Sequence, residues 1–166
     1  MYKINKQSIL LQSGQKLFHT QDLEVLWGIN NKNTLYVTIN RFIKRKILFK
    51  IIKGLYSTVP VGEIDKYKLG ALLIHKYAYL SCESVLFNEG VIFQVPTSIT
   101  YVSSVSKKIK FGDIYYSYRK MKPERLFDFN DVIKKDGYFV ANTQRAIADM
   151  KYFNPKYYFD NIQDDE

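Results

Sequence analysis

Two stretches of this chain hold side chains whose types and spacing could do chemistry. The first is Asp149-Met150-Lys151, an acid-x-Lys pair like that of metal-dependent nucleases, with Asp131 and Asp136 upstream. That chemistry needs the acid and the lysine on one face, as residues i and i+2 are in a strand. The local apolar spacing is helical, and in a helix the two side chains point about 200° apart. They are therefore expected not to converge on one metal. His19 and His75 are the only histidines and Cys82 the only cysteine. They build neither a Ser/His/Asp set of credible spacing nor a cysteine-cluster zinc site. No G-x-x-x-x-G-K-[ST] or G-x-G-x-x-G run occurs to cradle a phosphate. Cys82, between Ser81 and Glu83 in an apolar neighbourhood, reads as a small core residue. The expectation is no catalytic residue, no metal and no cofactor.

The second stretch is residues 31–45, NKNTLYVTINRFIKR. Taken as a helix over 32–45, with about 100° per residue, it gathers Leu35, Ile39, Phe42 and Ile43 in one narrow arc that can bury. The opposite side carries Asn33, Thr34, Val37, Asn40, Arg41 and Lys44. Short polar groups, a small apolar side chain and cations are what a major-groove reader presents. Arg41 and Asn40 are the candidates for base edges, with Asn33, Thr34 and Val37 beside them. Lys32, Lys44, Arg45, Lys50 and Lys53 are the candidates for phosphates. The plain alternative is a solvated basic helix face.

The charge distribution bears on that choice. The chain has 166 residues and a net charge of +9. Residues 1–59 carry ten Lys and Arg against two acids, a balance of +8, and residues 60–166 carry fifteen against fourteen, a balance of +1. A polyanion is thus expected as partner of the first third alone. At 46% hydrophobic the chain can build a core. No apolar run approaches the roughly 18–20 residues of a membrane helix, and the N-terminus lacks a signal-peptide pattern, so a cytoplasmic protein with no membrane partner is expected.

The elements that must position the basic helix follow from its flanks. A first helix is expected over 4–12, ended by Ser13-Gly14, with Leu17-Phe18 a short apolar step. Thr20 is expected to cap a second helix with Asp22 and Glu24 in its first turn, stopped by Gly28. Asn30-Asn31 then turns into the basic helix, which makes a helix-turn-helix pattern. Strands over 47–52 and 55–58, joined at Lys53-Gly54, complete a winged helix-turn-helix domain over 1–59. Residues 59–62 read as a linker.

Residues 63–162 read as a second domain of α+β class, so the whole chain is α+β. The expected elements are a helix over 65–76, an extended segment over 77–80 and a short helix capped by Ser81 and closed by Gly90. Strands over 98–105, 107–111 and 114–119 are expected to form an antiparallel meander. Residues 126–129 and 138–140 read as further strands. A last helix starts at Thr143, with Ala146, Ile147, Met150 and Phe153 as its apolar face, and residues 163–166 read as frayed. The many tyrosines at strand positions suit cross-strand packing first and a protein-binding surface second.

Several runs resemble one known family. Phe18-His19-Thr20-Gln21-Asp22-Leu23, Asn33-Thr34-Leu35-Tyr36-Val37-Thr38-Ile39-Asn40-Arg41 and Lys53-Gly54-Leu55-Tyr56 resemble the N-terminal winged-helix region of the AbiEi-type antitoxins. Tyr79-Leu80-Ser81-Cys82-Glu83-Ser84-Val85-Leu86, followed by Gly90, is similar to the segment that opens that family's second domain. Thr143-Gln144-Arg145-Ala146-Ile147-Ala148-Asp149-Met150 is similar to its late helix, with Gln144 where an acid is common. The resemblance implies a type IV toxin–antitoxin system linked to abortive phage infection. It implies an autorepressor that binds double-stranded DNA repeats in its own promoter. It also implies that the second domain counteracts a nucleotidyltransferase-type toxin, directly or through the toxin's target. Residues alone leave open a winged-helix regulator that senses a small ligand, a metal-dependent nuclease and a purely protein-binding module.

Overall fold

The structure, a computed structural model, describes residues 5–162. The expected helix start at residue 4 and the frayed end at 163–166 lie outside the described residues. The chain is a mixed α and β protein that divides between Asp65 and Lys66 into two compact units. The division falls a few residues past the linker expected at 59–62, and a 3-10 turn at Val61–Glu63 belongs to the first unit.

The first unit runs α1 (Lys6–Gln12), β1 (Leu17–His19), α2 (Thr20–Trp27), α3 (Lys32–Lys44), β2 (Phe49–Ile52) and β3 (Leu55–Ser57). The apolar step at Leu17-Phe18 is a strand: β1 pairs antiparallel with β3, which pairs antiparallel with β2, in the order β1-β3-β2. Three residues are too few to show a period of two in sequence. Helix α2 begins one residue earlier than expected. His19, not Thr20, is its N-cap residue, and the Asp22 carboxylate accepts the His19 backbone N–H at 2.7 Å. Thr20 instead sends its backbone N–H to the Gly54 carbonyl at 3.0 Å, which ties the β2-β3 turn to the start of α2. Leu10, Phe18, Leu23, Trp27, Leu35, Ile39, Phe42, Leu48 and Tyr56 form one buried cluster. Within it the Trp27 and Phe42 rings lie 5.0 Å apart.

The second unit is built on a six-stranded mixed sheet. Its strands are β4 (Ala78–Leu80), β5 (Ile99–Ser103), β6 (Lys107–Phe111), β7 (Ile114–Lys120), β8 (Val132–Lys135) and β9 (Tyr138–Ala141). The order is β6-β7-β5-β4-β9-β8. The strands over 99–120 do not form the expected antiparallel meander. Strand β6 pairs only with β7, and β7 returns to lie parallel to β5. Pairing of β4 with β9 is also parallel. The reason is chemical: β6 carries Lys107, Lys108 and Lys110, which face both sides of the sheet, so it is driven to the edge. Strand β5, buried along most of its length, takes the interior place.

The helices of this unit are α4 (Lys66–Leu72), α5 (Glu83–Asn88), α6 (Pro123–Leu126) and α7 (Thr143–Phe153). The strand expected at 126–129 is instead the end of α6 and a loop. Pro123 at the first helical position and Glu124 in the first turn start a helix there. Strand β8 was not expected, because Val-Ile-Lys-Lys has no alternation to show. Cys82, not Ser81, stands at the N-cap of α5, with a positive φ of 56°.

Tyrosines join helix to sheet. Tyr101 donates to the Tyr67 carbonyl at 2.6 Å, Tyr116 to that of Lys66 at 3.1 Å and Tyr118 to that of Gly70 at 2.6 Å. The approach is close enough that a Cβ at Gly70 would lie 2.5 Å from the Tyr101 hydroxyl. These rings pack within the fold, as cross-strand packing requires; Tyr101 and Tyr118 stack at 5.4 Å.

Candidate nucleic-acid interface

Helix α3 is held at both ends. Asn31 caps it, its side-chain oxygen accepting the Thr34 backbone N–H at 3.0 Å. At the other end Lys46 adopts φ 56°. Its N–H reaches the Ile43 carbonyl at 2.9 Å, and that of Ile47 reaches the Phe42 carbonyl at 2.9 Å. This pair of bonds is the Schellman motif, which normally uses glycine at the left-handed position. A lysine there is strained by about 1–2 kcal/mol.

Leu35, Ile39 and Phe42 are buried and Ile43 is half-buried, so the predicted seam faces the core. All ten candidate side chains are exposed: Lys32, Asn33, Thr34, Val37, Asn40, Arg41, Lys44 and Arg45 on and beside α3, Lys50 on β2 and Lys53 in the turn. None of the six cations among them makes an ion pair among the described residues. Two details refine the set. The Thr34 hydroxyl donates to Asn31 Oδ1 at 3.2 Å, so toward a base it is left as an acceptor. Tyr36, 47% exposed and one turn before Asn40, lies on the flank of the same face. It was missed because a tyrosine beside Leu35 reads as core; its angle from the apolar arc was the available signal.

The hairpin brings Lys50 opposite Tyr56 and sets Lys53 before Gly54, whose φ of 85° shapes the turn. Helix α3 has no acid in its first turn, and Arg41 and Lys44 sit in its last. Cations there also favour the helix dipole, a role independent of any partner.

No protein-family model and no curated protein matches this chain.

The acid-x-Lys stretch is placed on α7. Asp149 is fully buried while Lys151 is exposed, its ammonium 5.9 Å from the Phe159 ring centre. Asp131 and Asp136 are exposed at the two ends of β8. Among the described residues, no three of His, Cys, Asp and Glu gather where they could share a metal ion. Asp149 instead pairs with Arg145 at 3.2 Å and accepts from Ser81 at 2.7 Å and Tyr79 at 3.0 Å. Burial raises the Asp149 carboxyl above its ordinary range, against the pull of Ser81 and Arg145.

Arg145 has further work. It donates to the carbonyls of Arg125 at 2.6 Å, in the last turn of α6, and of Asp128 at 2.8 Å and Asn130 at 3.1 Å on the loop that follows. The buried face of α7 is thus Arg145, Ala146, Asp149 and Met150, while Ile147 and Phe153 are half-buried. Apolar periodicity missed this pair, since charged residues at i and i+4 usually lie on the surface. Cys82 is buried, and its thiol is pushed up to about 12 by burial.

Proposed function

We propose that residues 5–65 form a winged helix-turn-helix that binds double-stranded DNA, with α3 in the major groove and the β2-β3 hairpin as the wing. The observation that carries this reading is the outer face of α3: exposed cations without ion pairs beside short polar side chains, above a buried apolar seam. The element order α1-β1-α2-α3-β2-β3 supports it. Arg41 and Asn40 read base edges, and Lys32, Lys44, Arg45, Lys50 and Lys53 hold phosphates.

The wider role is a cytoplasmic autorepressor and antitoxin of a type IV system. It binds its own promoter and counters a nucleotidyltransferase-type toxin through residues 66–162. The resemblance of residues 79–90 and 143–150 supports that role, which is one of binding rather than catalysis. The burial of Asp149 away from Lys151 is consistent with it.

Gel-shift titration on the upstream DNA and on random DNA tests the first claim. Arg41→Ala costs about 1–3 kcal/mol on the promoter and relaxes preference at one position. Lys53→Ala weakens both DNAs alike and flattens the salt dependence. Identical behaviour of the two variants would remove α3 as the reader. Growth rescue on co-expression with a nucleotidyltransferase-type toxin tests the second claim separately.

A further inference from the structure

We infer that Val37 reads the 5-methyl group of a thymine, so that the DNA bound by α3 carries a T·A pair at a fixed place. The inference rests on the placing of α3 in the major groove. Val37 is 49% exposed and lies outside the buried seam of Leu35, Ile39 and Phe42. On a helix the neighbours of a side chain lie three and four residues away. For Val37 these are Asn33, Thr34, Asn40 and Arg41, and all four are exposed. Val37 thus stands at the centre of the polar face, ringed by side chains with the chemistry to read bases. Two other exposed apolar side chains of the first unit lack such a setting. Val25 on α2 has Asp22 one turn before it, and an acid there repels phosphates. Leu11 on α1 has Gln7 and Ser8 a turn before it and the end of the helix after it.

The major groove offers one apolar group, the methyl at C5 of thymine, among edges that otherwise carry hydrogen-bond donors and acceptors. Valine suits that group. Its branched side chain has one strongly preferred rotamer in a helix, so its methyls are fixed before DNA arrives and little freedom is lost on contact. A polar edge set against Val37 would lose its water and gain no hydrogen bond, which disfavours cytosine, with its amino group, at this place. The nearby hydroxyl protons are already used. Thr34 donates to Asn31 Oδ1 at 3.2 Å and Thr38 to the Thr34 carbonyl at 2.8 Å. The contact at the centre of the face is therefore left to the valine methyls. Val37 and Arg41 are about 6 Å apart along the helix and base pairs about 3.4 Å apart along the duplex, so the thymine falls within about two base pairs of the base that Arg41 reads.

Thymine-to-uracil substitution tests this. Selection by the full chain from a random double-stranded pool supplies the tightest-bound duplex as probe. Each of its thymines is then replaced singly by deoxyuridine, which removes the methyl and nothing else, and affinity is read by fluorescence anisotropy at fixed salt. At one position per bound α3 the wild type loses affinity about three- to tenfold, the size expected for one buried methyl. Val37→Ser binds the thymine and uracil duplexes alike. Val37 lies outside the core, so this variant keeps the fold, which circular dichroism and thermal melting check. The sensitive thymine lies beside the position at which Arg41→Ala relaxes preference. A bound duplex with no uracil-sensitive thymine, or a sensitivity that Val37→Ser retains, would overturn the methyl contact and leave DNA binding by α3 standing. A pool from which no duplex is enriched would overturn both.

Discussion

Arg41 in the first unit is exposed and makes no ion pair among the described residues, whereas Arg145 in the second is 8% exposed and bonded to Asp149, Tyr79 and three carbonyls. The same contrast runs through the units. The first keeps its excess charge outside an apolar cluster, so that removing one cation leaves the fold unharmed. The second puts charge inside and takes structure from it. A buried ion pair need not stabilise more than apolar residues would, but halving it leaves an uncompensated charge. Surface cations add little to stability, and their value lies in what they meet.

Arg145→Met gives the sharpest break. It strands Asp149 and releases three carbonyls, and the expected loss in chemical denaturation is about 3–5 kcal/mol. Arg41→Met in the same assay changes stability by less than about 0.5 kcal/mol. Equal losses would erase the distinction. Gly70→Ala comes next. Its Cβ meets the Tyr101 hydroxyl and the Tyr116 ring at 2.5 Å, so a loss of about 1–3 kcal/mol is expected, read as a lower midpoint. Lys46→Gly sharpens the comparison from the other side. It relieves the left-handed position and raises stability by about 1 kcal/mol, while removing an exposed cation from the C-terminal end of α3. If DNA affinity stays unchanged, that lysine serves no phosphate. The smallest effect is a pH dependence. The Asp149 carboxyl is raised above its ordinary 3.8, so the native state binds its proton before the unfolded chain does. Its contribution is fullest below that ordinary value and is lost as pH rises through the raised one. Thermal midpoints of wild type and Asp149→Asn should therefore draw apart on acidification, in favour of the wild type.

What sequence reading reached, and what it missed, follows the same division. Helix α3 shows its period over 13 residues, with Asn31 as a cap, so its buried seam and exposed face were readable. The place of β6 at an edge was readable too, from lysines on both faces, but chain order suggested a meander instead. Pro123 marked α6, yet Leu126-Phe127 beside it looked extended. Strands β1 and β8, of three and four residues, are too short to carry a pattern. The ion pair inside α7 lies beyond any periodicity argument. Its burial depends on Ser81 and Tyr79, far away in the chain and brought close only by the sheet.

The grip of Arg145 on the loop after α6 has a consequence for motion. A loop tied at two carbonyls, and through Arg125 at the end of α6, to a helix that is itself docked on the sheet cannot open alone. In native-state hydrogen exchange the amides of residues 125–130 should protect and release together with those of α7, as one cooperative unit. Phe127 and Phe129 would then stay presented at the surface for as long as the second unit remains folded.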